Sequence, residues 1–142
     1  MMRIVLCLVI VFIGTRAQAD PLGEKSIHAI LVKEGDTTPV TKYSTDTAKL
    51  EALWKGSGLK AGDKIRAIWI AEDFGIAEKN NSRITESETT AYKADDDGAF
   101  ALGRPKEGWP SGKYRLEIYV NTKLAETLKF TIEPGVTIET AQ

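Results

Sequence analysis

The chain has 142 residues, 42% of them hydrophobic and 27% charged, with 19 lysines and arginines against 20 aspartates and glutamates. The two signs are interspersed and the net charge is −1, so there is no basic stripe for phosphates; this argues against a nucleic-acid binder and against a polybasic membrane-surface protein. With one cysteine and one histidine, there is little from which to build a disulfide framework, a metal cluster or a nucleophile with its base.

Residues 1–19 read as an address and not as part of the fold. Arg3 gives a short basic start, the run from Ile4 to Ile13 is apolar throughout, and Ala17-Gln18-Ala19 places small residues where a signal peptidase cuts, before Asp20. A run of roughly ten residues is too short to cross a bilayer, which takes ~20. Cys7 sits near the start of that run, whereas a lipid-modified cysteine would follow it. Cleavage removes Arg3 and Arg16 but no acid, so residues 20–142, 123 in all, carry 17 basic against 20 acidic groups, a net charge of −3. The expectation is one periplasmic or secreted domain with no membrane insertion after cleavage. Without a cysteine it must be held by packing alone.

Strands dominate the rest. Ser26 to Val32 is mostly apolar and makes a first strand, broken by Gly35-Asp36-Thr37-Thr38-Pro39. The lone His28 lies in it, and a single histidine in a strand reads as a packed or edge residue before a base or ligand. Ser44 to Gly56 satisfies two patterns: Leu50, Leu53 and Trp54 share a helical face, while Leu50, Ala52 and Trp54 alternate with Lys49, Glu51 and Lys55. Strand is expected, because a sandwich needs a second strand over its central one and tertiary demand overrides propensity.

Lys64 to Glu72 is apolar on both faces, Ile65, Ala67, Trp69 and Ala71 on one and Ile68 and Ile70 amid Arg66 and Glu72 on the other, which marks a central strand. Asp73-Phe74-Gly75 opens a loop to about Ser82; the triplet occurs at kinase metal sites, but the rest of a kinase is missing. Asn80-Asn81-Ser82 matches a glycosylation sequon and is weak evidence by itself. Arg83 to Lys93 has few large apolar groups and reads as a charged edge strand. Its Glu86 and Glu88 share a face and could be imagined as a glycosidase pair, yet a solvated edge explains them better. Asp95-Asp96-Asp97-Gly98 is an acidic turn without the twelve-residue loop and terminal glutamate of a calcium site. A short strand from Ala99 to Leu102 follows.

Tyr114, Leu116, Ile118 and Val120 alternate with Arg115, Glu117, Tyr119 and Asn121, and Leu124, Leu128, Phe130 and Ile132 keep the period after a short turn. The two runs make an antiparallel hairpin. Asn121-Thr122-Lys123 lacks the glycine expected after asparagine, so a three-residue or bulged connection is expected.

Trp69 on the central strand, the Gly-Trp-Pro-Ser-Gly-Lys-Tyr turn, and Tyr114 two residues before Leu116 together resemble an immunoglobulin-type sandwich. Trp69-Ile70-Ala71-Glu72-Asp73, Gly108-Trp109-Pro110, Gly112-Lys113-Tyr114-Arg115 and Phe130-Thr131-Ile132 are similar to segments of small secreted bacterial proteins with one such domain and mostly no assigned activity. The resemblance implies an all-β, immunoglobulin-like antiparallel sandwich of about seven strands and carries no catalytic residue. The paired cysteines of antibody domains are absent, with Leu116 at one position and Leu50 or Ala52 opposite.

The expected function is a non-catalytic binding module without cofactor or metal, its partner another envelope or secreted protein. In such a sandwich Ile68 and Ile70 lie near Tyr119 on an outer face, rimmed by Arg66, Glu72, Arg115 and Glu117. Either a partner meets that apolar centre, or a terminus covers it: the first strand, or the tail from Glu133 to Gln142. The alternative is a loop-borne ligand or inhibitor site in which Trp109 and Phe74 are anchors; Trp109 is equally a plug for the end of the sandwich, and its exposure decides.

Overall fold

A computed structural model describes residues 24–73 and 81–135. The leader at 1–19, Phe74, Asn80, Val136 and Ile138 lie outside the described residues. All regular structure among the described residues is strand: β1 (Ser26–Val32), β2 (Lys42–Ser44), β3 (Lys49–Ser57), β4 (Lys64–Asp73), β5 (Ser82–Thr90), β6 (Asp97–Gly103), β7 (Gly112–Val120) and β8 (Lys123–Glu133). They form a three-stranded sheet, β1-β3-β6, and a five-stranded sheet, β2-β8-β7-β4-β5.

The ambiguous segment is strand β3, buried at Leu50, Ala52 and Trp54 and paired on both sides. The expected sandwich of about seven strands has eight among the described residues, and its pairing is antiparallel except that the short β2 runs parallel to β8. The residues that make β2 are too few to show a period. Tyr43 holds it in place: its hydroxyl donates to the Val32 carbonyl at 2.8 Å, and its ring meets Phe130 edge-on at 5.6 Å.

Between the sheets lies one core. Trp69 is 1% exposed and meets Phe130 edge-on at 6.1 Å, and Phe130 stacks on Tyr114 at 5.4 Å. Leu50, Ala52 and Leu116 are fully buried, the aliphatic filling expected where antibody domains carry cysteines. The Tyr114 hydroxyl donates to the Pro110 carbonyl, closing the corner that leads into β7.

The β7–β8 connection is two residues long, Val120 pairing with Lys123. Asn121 takes a φ of 56° and Thr122 does not have a positive φ. That sign pattern belongs to a II′ turn, which needs only its first central residue left-handed and so spares the β-branched threonine. The irregularity comes later, where Ile118 pairs with Glu126 and Tyr119 with Leu124. Ala125 is the extra residue. It moves Leu124 to the outer face, 46% exposed, although its spacing to Leu128 had placed both on one side.

Candidate interaction surface

The outer face of the five-stranded sheet is built by register. Arg66 sits between Glu88 and Tyr119, Ile68 between Glu86 and Glu117, and Ile70 between Arg83 and Arg115. Directly opposed residues share a face, so Ile68 and Ile70 each lie between two long polar side chains. Ile68 and Ile70 are 3% and 7% exposed. The apolar centre expected for a partner is therefore already covered in the folded chain. The first strand is not its cover, since β1 belongs to the opposite sheet.

The charged side chains of this face are tied together. Arg115 Nη1 donates to Glu72 Oε1 at 3.4 Å and to Asn81 Oδ1 at 2.8 Å, and its Nε donates to Glu117 Oε2 at 3.3 Å. Tyr119 Oη donates to Glu117 Oε1 at 3.1 Å, and the Arg66 guanidinium lies over the Tyr119 ring, 5.2 Å from its centre. Lys129 approaches Glu72 at 3.8 Å. Burial, together with the charge of the Glu117 carboxylate that accepts its hydrogen bond, raises the Tyr119 phenol above its ordinary range. The Arg115 guanidinium, held by carboxylate and amide oxygens, keeps one geometry, and the Arg66 guanidinium is placed by the Tyr119 ring.

Trp109 is 4% exposed, its indole N–H donating to the Thr47 carbonyl at 2.7 Å. It plugs one end of the sandwich. Beside it Pro105, Gly108, Pro110, Ala71, Tyr114 and the bulged Ile84 line a groove of about 560 Å³.

The remaining candidates have structural partners. His28 is exposed on the outer side of β1, opposite Lys55. Glu86 is paired with Arg83 at 3.1 Å. Asp96 accepts the backbone N–H of Tyr92 and of Asp97, which fixes the acidic turn. Among the described residues no group of three or more His, Cys, Asp or Glu is placed to hold a metal.

No family profile matches the chain, and no curated protein matches it in sequence. Among solved structures, an immunoglobulin-like protein of Pseudomonas aeruginosa superposes over 80% of this chain and 100% of its own, with a TM-score of 0.51 and 16% identity. The fold is immunoglobulin-like. The same immunoglobulin-like sandwich superposes on part of a β-glucosidase of Listeria innocua, with a TM-score of 0.54 and 9% identity over 80% of this chain but only 16% of the enzyme. Identities this low carry the fold alone.

Proposed function

We propose that the chain is an exported, non-catalytic immunoglobulin-like module that binds another envelope or secreted protein through the outer face of its five-stranded sheet. One observation supports this reading above others: Arg115 is held by Glu117, Glu72 and Asn81, Tyr119 by Glu117, and the Arg66 guanidinium lies over the Tyr119 ring, all on the face of two buried isoleucines. Arginine and tyrosine are the residue types that dominate binding energy at interfaces, and side chains already held in place lose little entropy when a partner arrives. The contact would be polar and charged, with the isoleucines as its foundation and not its surface.

The test is capture of a partner from the native envelope or culture fraction by residues 20–142, compared with Tyr119→Ala and Arg66→Glu. Each substitution should weaken capture of the same partner by about tenfold or more, since 1.4 kcal/mol of lost contact suffices, with the melting temperature little changed. Equal capture by both folded variants overturns the proposal. A second reading, a small apolar ligand in the groove beside Trp109, rests on the lining of Ile84, Pro105 and Pro110.

A further inference from the structure

The three-stranded sheet ends at β6, and β6, like β1 at the sheet's other margin, pairs without a bulge and has no proline. Between Asp97 and Arg104 it reads Gly-Ala-Phe-Ala-Leu-Gly, with no charge and no proline, and its pairing with β3 runs without a shift. Sheet edges are normally blunted by charge, proline, bulges or shortness. The β5 edge has Arg83, Glu86, Glu88 and a bulge. At the opposite margins β2 is three residues long, and the Val40 N–H bonds to the Leu31 carbonyl beside β1.

The direction of the unpaired groups follows from the pairing. Arg104 N–H bonds to the Ala48 carbonyl and Gly56 N–H to the Asp96 carbonyl, so even-numbered residues of β6 face β3. The N–H and C=O groups of Ala99, Ala101 and Gly103 therefore point away from the sheet. Inward, Trp54 lies so close under β6 that a Cβ on Gly98 would meet its ring at 2.9 Å. Outward-facing side chains are small: Ala99 and Ala101 are exposed, and Ile30, Leu53 and Ala99 form an apolar row in register across the outer face.

We infer that β6 pairs antiparallel with β6 of a second copy of this chain, joining two three-stranded sheets into one of six. This goes beyond the partner surface proposed above, which lies on the opposite sheet. Charge decides the occupant. Asp95 and Asp96 precede the strand and Asp97 begins it, and Arg104 and Lys106 follow it. Antiparallel self-pairing sets the acidic end of one copy against the basic end of the other, and parallel pairing would oppose like charges. Opposed residues must share a face, and the outward groups must exchange the bonds. Both conditions are met when Ala99 faces the second copy's Ala101, with the two-fold axis at Phe100. Asp96 then stands opposite Arg104 of the other copy.

Sedimentation equilibrium on residues 20–142 tests this, with Ala101→Pro as the decisive variant. Proline there removes only an outward N–H, so the β3 ladder is kept. The wild-type chain should form a dimer with concentration, Ala101→Pro should associate at least about tenfold more weakly, and Arg104→Glu should also weaken it. Hydrogen exchange should show the Ala99 and Ala101 amides protected at high concentration and open at low. A wild-type chain that stays monomeric, a folded Ala101→Pro that dimerises as well as wild type, or Ala99 and Ala101 amides that exchange freely in the dimer overturns the inference. Should Ala101→Pro misfold, the amide exchange and Arg104→Glu still decide.

Discussion

At Asp63 three donors converge on one carboxylate: Lys25 Nζ at 2.8 Å and Asn121 Nδ2 at 3.1 Å on Oδ1, and the Lys60 N–H at 2.8 Å on Oδ2. The Lys25 hydrogen bond outweighs the opposing effect of burial, and the carboxyl drops from 3.8 to about 2. Because the folded value is the lower one, the native state holds the proton less tightly than the unfolded chain. The stabilisation is thus complete above the unfolded value and disappears as pH falls from about 4 towards 2. Asp63→Asn should melt well below wild type at neutral pH and approach it near pH 2.5 (about the end of that window). Thermal melts across that range check it, and a pH-independent gap contradicts it. No sequence pattern announced this residue. In sequence Asp63 is one aspartate following Gly62, and its partners Lys25 and Asn121 are far away along the chain.

Among the strands, β4 shows what periodicity reveals and what it hides. Its two apolar faces were legible and correctly marked a central strand, and β5 was correctly seen as the charged edge. What covers Ile68 and Ile70 was not legible, because it depends on cross-strand register, on two neighbours with long polar side chains, and on a bulge where Trp69 pairs with Thr85 and Ile70 with Arg83. The same limit explains Leu124, turned outward by one inserted alanine. Nor could the openness of β6 be read, since it follows from which strand has no neighbour. The outer isoleucines thus form a second, thin apolar layer. Ile68→Ala should cost about 2–4 kcal/mol, as for other buried large-to-small changes, whereas a surface isoleucine would cost under ~1 kcal/mol. Urea denaturation of this variant measures the difference.

At the level of the whole molecule, the described chain has no disulfide, so the two sheets stay together through the core and a few pins between layers. Tyr43 links β2 to the opposite sheet at Val32, and Trp109 bonds to Thr47 in the segment leading into β3. The Trp109 turn was recognisable in the sequence as family-like, yet whether its indole met solvent or the core depended on how the loop folds back over the sheets. Burial makes it structural, with two separable contributions. Trp109→Phe keeps most of the apolar filling but leaves the Thr47 carbonyl without its donor, and should cost about 1–3 kcal/mol. Trp109→Ala also empties the end of the sandwich and should cost about 3–5 kcal/mol. If the ring were instead a ligand anchor, both variants would keep wild-type stability. Unfolding of the pair in guanidinium, in the absence of any added ligand, separates a plug from an anchor.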